Sequence, residues 1–241
     1  MKRNCLPGWG GALALLLATA GLLWGAAVNQ LSDVEKAAGW KLLFDGQTAT
    51  GWRNFKKQTF PANGWTVEEG WLHCLRKEGG DIISQAQFEQ FDLRWEWKIG
   101  EAANSGVKYF IVETRSSAIG HEYQIIDDAR VLDAGQANGI HATASFYDVL
   151  KPAAPLPLKP AGEINSSRIL VQGNHVEHWL NGTKVLEYEL GSDAVKAAVA
   201  QSKFKHVAGF GTRIKGHILL QAHGGEVFFR NLKIRDLSAN P

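Results

Sequence analysis

Two stretches in the second half of the chain alternate apolar and polar residues around turn dipeptides, and this pattern constrains the fold most strongly. The first stretch is Ile164–Leu190, interrupted at Gly173-Asn174 and Asn181-Gly182, and the second is Gly216–Leu237, interrupted at Gly224-Gly225. Alternate side chains of a strand point to opposite faces, and such dipeptides favour the tight turns of hairpins. Both stretches therefore predict antiparallel hairpins in a mainly β protein.

Other parts of the chain fit the same fold. Short strands are predicted at Trp40–Phe44, Trp65–Cys74, Ile82–Ser84, Phe91–Ile99, Val107–Glu113 and Glu122–Asp127. The proline-rich stretch Pro152–Pro160 is expected to cross the surface, and one helix is expected at Asp193–Gln201 with Ser192 as its N-cap. Many short strands without alternating helices predict an all-β fold, a two-sheet antiparallel sandwich.

Residues 1–27 have the character of a secretory signal peptide. Lys2 and Arg3 precede an apolar run at Ala12–Trp24, and small residues end the segment. The alternative is an uncleaved anchor, for which an apolar run of about 18 residues or more is wanted. We therefore expect a periplasmic or secreted protein that has no stable membrane span after processing.

The processed chain is expected to form one domain. Residues 28–39 are interpreted as a lead segment and residues 40–237 as a single β-sandwich, a length that is ordinary for this architecture. Cys74 is the one cysteine that remains after the predicted cleavage, so the domain is expected to fold without an intramolecular disulfide.

The composition favours carbohydrate over nucleic acid as a partner. The formal net charge is +2 and the basic residues are scattered along the chain, which is not the pattern of a nucleic-acid-binding protein. The chain has nine Trp and eight His. Aromatic rings beside polar side chains suit the C–H faces and hydroxyls of sugars, although core packing of most of these Trp residues is the alternative.

Seven motifs in order give the chain a family resemblance. They are L-F-D-G-x-x-x-x-G-W (Leu43–Trp52), W-x-V-x-x-G-x-L (Trp65–Leu72), F-x-x-F-x-L-x-x-E (Phe88–Glu96), N-S-G-V (Asn104–Val107), G-x-E-Y-Q-I-x-D (Gly120–Asp127), H-W-L-N-G (His178–Gly182) and I-x-L-Q-x-H-G-x-x-V-x-F-R-N-L-K-I (Ile218–Ile234). Together they resemble the 3-keto-disaccharide hydrolase domain family. The resemblance implies a concanavalin A-like jelly roll with a concave sugar-binding face, an exported bacterial protein, and cleavage of glycosides already oxidised at C3 of the sugar.

Glu122 and Gln124 are the first candidates for site residues. The period of two puts them on one face of their strand, about 7 Å apart at ~3.3 Å per residue. Retaining glucanases of the implied fold carry Glu-x-Asp-x-x-Glu at such a strand, whereas here the series is Glu122, Gln124 and Asp127. An amide in place of the central carboxylate argues against a retaining enzyme with two carboxylates. The alternative is that Glu122 is a solvated strand residue.

The implied 3-keto substrate needs different chemistry. Its carbonyl acidifies the C2 hydrogen, so a base can remove that proton and the C1 substituent can leave by elimination, after which water adds. Glu122 is the candidate base, His178 or His223 the acid, and Lys108 or a bound divalent metal the group that stabilises the enolate. Each histidine could instead be structural, and Lys108 could be a surface residue.

Other residues are candidates for substrate binding. Gln221 shares a face with His223, although the two could simply bind each other. Tyr147 and His141 lie in an irregular loop expected to rim the groove, where either could instead close the core. Glu96 lies on the polar side of its strand. The histidines lack H-E-x-x-H or other close ligand spacing, so no cofactor is predicted, and the alternative is a divalent metal held by residues distant in sequence.

Three functions remain open from the sequence. The leading hypothesis is an exported hydrolase or lyase that acts on 3-keto-glycosides. The second is a non-catalytic, lectin-like carbohydrate-binding module, which the same fold serves. The third is a structural surface protein.

Overall fold

The computed structural model describes Met1 and residues 27–75, 77–135 and 139–238, and most of the regular secondary structure in them is β-strand. The predicted signal peptide, residues 1–27, lies outside the described residues except for its two end positions. Within the described ranges, no helix is long and apolar enough to span a membrane.

The elements follow the chain in this order. The strands are β1 (Trp40–Leu42), β2 (Trp52–Asn54), β3 (Trp65–Glu68), β4 (Trp71–Cys74), β5 (Ile82–Phe88), β6 (Phe91–Ile99), β7 (Asn104–Ile111), β8 (His121–Ile126), β9 (Asn165–Gln172), β10 (His175–Leu180), β11 (Thr183–Glu189), β12 (Gly216–Leu220) and β13 (Val227–Asp236). The helices are α1 (Asp33–Ala37), α2 (Leu132–Gly135) and α3 (Asp193–Gln201), and a 3₁₀ turn spans Lys77–Gly79.

Two antiparallel sheets form the molecule. The large sheet has the order β11-β10-β9-β6-β13-β4-β3, with β1 also paired to β13, and the small sheet has the order β2-β5-β12-β7-β8. Large aromatic and aliphatic side chains of both sheets, including Trp95, Phe229 and Tyr123, are buried in one core. Each fully buried side chain of this size contributes about 1.5–3 kcal/mol. The predicted two-sheet antiparallel sandwich is therefore confirmed.

The two predicted hairpin regions had different outcomes. In the first, β9, β10 and β11 pair in sequence through the predicted turns. In the second, β12 pairs with β5 and β7 in the small sheet, whereas β13 pairs with β4 and β6 in the large sheet. The hairpin prediction for Gly216–Leu237 was wrong, because the glycines carry the chain between sheets. Gly225 has a φ of 75° and lies so close to Ala103 that a Cβ would collide with it.

Helix α3 has the predicted bounds and cap. The Ser192 hydroxyl accepts a hydrogen bond from the backbone N–H of Val195 at 3.3 Å, which satisfies one of the unpaired donors of the first turn. Val195 is the buried residue of this helix and belongs to the main core. The helix thereby fixes the segment that follows it, which carries Lys203 and Phe204 to the small sheet.

Strand β6 shows the predicted alternation with one exception. Trp95 and Trp97 are buried in the core, whereas Arg94 is exposed on the outer side. Asp92 lies on that outer side as well, yet it is fully buried. Its carboxylate accepts hydrogen bonds from Arg94 and Arg168, which cover it.

Candidate active site

A pocket lies on the outer face of the small sheet and collects most of the predicted site residues. Its volume is about 170 Å³. We call it the small-sheet pocket, and it is lined by Asn104, Lys108, Ala118, Ile119, Gly120, Glu122, Gln124, Tyr147, Lys203, Phe204, Gln221 and His223. Six of the nine predicted residues are in this set: Lys108, Glu122, Gln124, Tyr147, Gln221 and His223.

Glu122 and Lys108 form the floor of the pocket. They are register partners on the adjacent strands β8 and β7, and Nζ of Lys108 lies 3.4 Å from a carboxylate oxygen of Glu122. Both side chains are largely shielded from solvent. Gly106 lies on the same face of β7, two positions before Lys108. A Cβ at Gly106 would collide with the carboxylate of Glu122. The glycine of the N-S-G-V motif therefore makes room for the acid.

Burial and nearby cations act in opposite directions on the carboxyl of Glu122. Burial raises the pKa of its carboxyl above the ordinary value, while the charges of Lys108 and Lys203 oppose that shift. Desolvation disfavours the charged form of an acid, and nearby cations favour it. A carboxylate with a raised pKa is a better proton acceptor than an ordinary one, and such perturbed groups are common at functional sites.

Tyr147 and Lys203 form one wall. The backbone N–H of Tyr147 donates to the carbonyl oxygen of Glu122 at 3.1 Å, which fixes the loop against β8. Nζ of Lys203 lies 4.2 Å from the centre of the Tyr147 ring, a cation–π distance. Burial raises the pKa of the Tyr147 phenol, so the hydroxyl stays protonated at neutral pH. The wall thus offers one cation and one neutral hydroxyl.

His141 lies behind this wall and does not line the pocket. Its two ring nitrogens lie 2.8 Å from carboxylate oxygens of Asp133 and Asp148, and its ring stacks on Tyr147 with centroids 4.6 Å apart. Asp148 also accepts a hydrogen bond from the backbone N–H of Lys203 at 2.7 Å. His141 therefore braces the two wall residues, which differs from the direct sugar contact expected of it.

Gln221 and His223 lie at the other side of the pocket, just beyond β12. The backbone N–H of Gln221 donates to the carbonyl of Gly106 at 3.0 Å. The side-chain oxygen of Gln221 is buried and has no hydrogen-bond partner among the described residues. His223 is exposed, and within the described part of the chain the two side chains share no hydrogen bond. The pocket thus holds a buried acceptor without a partner among the described residues and an exposed imidazole at its rim.

His178 is not in the pocket, which corrects the expectation that it faces substrate. It is fully buried in the core, where Nδ1 lies 2.9 Å from the carbonyl oxygen of Ala144 and Nε2 lies 3.2 Å from the hydroxyl of Tyr109. Burial lowers its pKa to about 4, so the ring is neutral near pH 7. The prediction was wrong because alternation along β10 separates the two faces of the strand but does not show which face packs inside the sandwich.

Glu96 also lies elsewhere. It projects from the outer face of the large sheet, where its carboxylate accepts a hydrogen bond from Nε of Arg230 at 2.7 Å. This face is on the opposite side of the sandwich from the small-sheet pocket. The expectation that Glu96 binds the same substrate is therefore wrong, because its strand belongs to the other sheet.

Asn104, Lys203 and Phe204 also line the pocket but are not among the site residues predicted from the sequence. Asn104 lies in the N-S-G-V motif, which was a usable signal. Lys203 and Phe204 follow α3 in the chain and line the pocket, and no local sequence pattern predicts that contact.

One group of side chains in the described residues has the spacing of a metal site. Ligand atoms of His175, Glu177 and Glu187 lie within 4.8 Å of one another on the large sheet. Lys184 is paired with both glutamates and already neutralises part of their charge. The group lies outside the small-sheet pocket and has no part in the chemistry considered for it.

The fold and the pocket define a β-sandwich protein with the architecture of a carbohydrate-active enzyme. Similar architecture occurs in the crystal structures of two presumed glycosyl hydrolases from Parabacteroides distasonis. One is 33% identical with a TM-score of 0.79, and the match covers 88% of this chain and 100% of that chain. The other is 27% identical with a TM-score of 0.65, and the match covers 82% and 99%.

The sequence matches the family of 3-keto-alpha-glucoside-1,2-lyase-like domains over residues 39–235, and the chain belongs to that family. It is also 32% identical over 250 aligned positions to a 3-keto-disaccharide hydrolase from Bacteroides thetaiotaomicron, with 89% of this chain and 84% of that protein covered. The resemblance inferred from the seven motifs is confirmed, and the protein is an enzyme of the glycosidic-bond-cleaving class.

Proposed function

We propose that the protein cleaves the glycosidic bond of 3-keto-glycosides, including 3-keto-disaccharides, by elimination followed by hydration. The observation that carries the proposal is the pairing of a buried base, Glu122, with Lys108 on the neighbouring strand. The name of the Bacteroides thetaiotaomicron relative, a 3-keto-disaccharide hydrolase, supports the same substrate class.

The presence of one carboxylate in the described pocket lining favours elimination over the usual glycosidase chemistry. Glu122 is the one carboxylate among the described residues that line the pocket. Asp127 instead binds the backbone N–H of Ala102 at 2.9 Å and the guanidinium of Arg130 at 3.2 Å. Retaining and inverting glycosidases use two carboxyl groups that flank the bond. One base with nearby cations suits proton abstraction beside a ketone.

The proposed reaction has two halves. In the first, Glu122 takes the proton from C2, the electron pair forms the enolate of the C3 ketone, and its collapse expels the C1 oxygen, which takes a proton from an acid. The product of this half is an unsaturated 3-keto sugar with a C1–C2 double bond. In the second half, water adds its hydroxyl to C1 and returns its other proton to the acid, and C2 regains a proton from the Glu122 carboxyl. No net oxidation or reduction occurs.

The remaining groups have separate roles in this scheme. Lys108 and Lys203 supply positive charge for the enolate oxygen that develops at C3, since fixed charge aimed at a developing anion stabilises the transition state. His223 is the candidate acid for the leaving oxygen, because an imidazole exchanges protons near neutral pH and this side chain is exposed at the pocket rim. Gln124 and Gln221 are candidates for hydrogen bonds to sugar hydroxyls.

The size of the pocket sets how a disaccharide binds. Its volume of about 170 Å³ is below the ~300 Å³ at the lower end of small-molecule sites. We infer that it encloses the oxidised ring, while the departing sugar stays outside near His223. This arrangement predicts loose selection of the leaving group and strict selection for the 3-keto ring.

Turnover in D₂O tests the mechanism. A 3-keto-glucoside is incubated with the protein, and the released 3-keto sugar is analysed at low conversion for deuterium at C2. Elimination and hydration place deuterium there once the Glu122 carboxyl exchanges its proton with solvent, whereas direct displacement at C1 leaves C2 protonated. A primary kinetic isotope effect with substrate deuterated at C2 reports cleavage of the C2–H bond even where Glu122 returns the same proton, and its absence together with an absence of deuterium at C2 contradicts elimination. The product kept in the same buffer without protein corrects for spontaneous exchange. Binding of the substrate without any turnover would instead favour the lectin-like module.

We also propose that the protein acts outside the cytoplasm, in the periplasm or after secretion. The support is the sequence of residues 1–27, with Lys2 and Arg3 ahead of an apolar run that ends in small residues. Intact mass of the protein from its native cells tests this. A mass that begins near Val28 agrees with export, and retention of Met1 in the whole population contradicts it.

A further inference from the structure

A second concave surface lies on the outer face of the large sheet, on the side of the sandwich opposite the small-sheet pocket. This outer hollow crosses strands β10, β9, β6 and β13 and has a volume of about 400 Å³. That volume is within the range of ~300–1,000 Å³ that small-molecule sites occupy. Its lining includes Arg94, Glu96, Ser166, Arg168, Trp179 and Lys233.

The shape of the outer hollow follows from one short side chain. Ser166 is exposed on β9 and pairs in register with Glu96 of β6. Longer side chains stand around it, with Trp179 on β10 and Lys233 on β13. The serine therefore leaves a depression in a face that is otherwise covered by long polar and aromatic residues.

The charge of the outer hollow is positive. Among its lining residues Arg94, Arg168 and Lys233 are cationic and Glu96 is anionic. Lys233 is paired with Glu35 and Glu96 with Arg230, so the positive charge open to a ligand is that of Arg94 and Arg168. Beneath them, the buried carboxylate of Asp92 accepts hydrogen bonds from Nε and Nη2 of both Arg94 and Arg168. Arg235 approaches the same carboxylate at 3.9 Å, so three guanidinium groups share one acid.

The two arginines keep donors for a further acceptor. Within the described ranges, no hydrogen bond involves Nη1 of Arg94 or Nη1 of Arg168, although the latter lies 3.9 Å from a carboxylate oxygen of Glu177. A guanidinium has five N–H donors, and it binds planar anions such as carboxylate and sulfate with particular strength. An anionic group beside these two residues would therefore find both charge and free donors.

Trp179 supplies an apolar surface beside the charges. Its indole N–H donates to Glu177 at 2.7 Å, and the Arg168 guanidinium lies 5.3 Å from the ring centre, so the ring is held in place. The side chain is only half-buried. A fixed aromatic ring that is partly exposed gives a sugar ring a flat surface to lie on, and the Ser166 hydroxyl and Glu96 carboxylate offer hydrogen bonds to its hydroxyls.

We propose that the outer hollow is a second carbohydrate site and that it binds acidic saccharides, with the sugar ring against Trp179 and a carboxylate or sulfate group on Arg94 and Arg168. A neutral sugar would leave the surplus positive charge unpaired, and a bare anion would leave the aromatic surface unused. The site is independent of the proposed reaction. It would hold the enzyme on an acidic glycan while the small-sheet pocket processes a different sugar.

Direct binding measurements test the site and identify the anionic group. Titration calorimetry of the wild-type protein compares an oligogalacturonide, a sulfated galactan oligosaccharide, a neutral galacto-oligosaccharide and sodium sulfate. We expect saturable binding of at least one acidic oligosaccharide and affinity for the neutral one that is at least tenfold weaker. Equal affinity for acidic and neutral sugars, equal affinity for sulfate alone, or no saturable binding of either acidic sugar overturns the proposal.

Variants locate the binding. Arg168→Gln removes one guanidinium, and Ser166→Phe fills the hollow from an exposed position without touching the ion pairs. Arg235→Gln is the matched control, since Arg235 shares Asp92 but does not line the hollow. We expect the first two variants to lose affinity for the acidic sugar tenfold or more, with turnover of a 3-keto-glucoside unchanged, and the control to stay within twofold. Wild-type affinity in Ser166→Phe, folded by circular dichroism, rejects the site.

Discussion

Lys108 and Glu122 face each other across β7 and β8, with Nζ 3.4 Å from the carboxylate and both side chains largely shielded from water. Each partner offsets the cost of burying the other, since an isolated buried charge is strongly unfavourable. Lys108 therefore opposes the rise in the pKa of Glu122 that burial causes. The proposed chemistry depends on that balance.

Replacing Lys108 by Met should move the pH dependence of turnover. Burial raises the pKa of Glu122 and Lys108 lowers it, so loss of the cation leaves that pKa higher still. The base works only when deprotonated, so the rising acidic limb of kcat/KM should move to higher pH, and the plateau should fall because the enolate loses a partner. Lys108→Arg should restore the position of the limb. Lys205→Met is the control on an exposed lysine, and an unmoved limb in Lys108→Met contradicts the pairing.

Gly106→Ala should impair turnover through Glu122 alone. The new methyl group would meet the carboxylate of Glu122, although the backbone at this glycine needs no left-handed conformation. We expect kcat to fall by about tenfold or more, because a displacement of the base of about 1 Å is costly. Gly100→Ala is the matched control, since its nearest neighbour would be 3.7 Å away. Equal kcat in both variants, measured on one 3-keto-glucoside, argues against the placement of the base.

Alanine substitutions of His178 and His223 should have separate effects, the first on the stability of the fold and the second on turnover. His178→Ala removes a buried ring that is bonded at both nitrogens, so thermal unfolding should show a loss of about 2–4 kcal/mol. His223→Ala should leave the melting temperature nearly unchanged and lower kcat most for substrates with poor leaving groups. The opposite pattern, with a stable His178→Ala protein that has lost its turnover, would restore His178 as the acid.

His141→Leu should weaken the wall of the pocket without touching substrate. The change removes the contacts of 2.8 Å to Asp133 and Asp148 and leaves the two carboxylates without their common partner. Since Asp148 holds the backbone of Lys203 and the ring of His141 stacks on Tyr147, both wall residues should become more mobile. KM should rise severalfold, while the acidic limb of the pH–rate profile, which Glu122 sets, should stay at the same pH. A shift of that acidic limb with an unchanged KM would mean that His141 acts on Glu122 directly.

The sequence predicted those parts of the site that lie within one strand. Alternation paired Glu122 with Gln124 on β8, because side-chain direction within a strand is fixed by the backbone. Gln221 and His223 also line the pocket, although they lie beyond the end of β12, where strand alternation does not apply. Alternation could not decide which sheet a strand joins, so β12 and β13 were wrongly predicted as one hairpin and Glu96 was assigned to the wrong face. Nor could it decide which face of β10 is buried, and His178 was misassigned for that reason. Lys203 lines the pocket beside residues that are distant from it in sequence, which no local pattern predicts.

Glu122→Gln is the most direct test of the account. The amide keeps the shape of the side chain and can still bond to Lys108 as an acceptor, but it cannot take a proton from C2. The account predicts that kcat on a 3-keto-glucoside falls by about 10²- to 10⁴-fold, the usual contribution of general-base catalysis, while KM changes little. A folded Glu122→Gln protein with kcat near that of the wild type would contradict the central claim that Glu122 is the base.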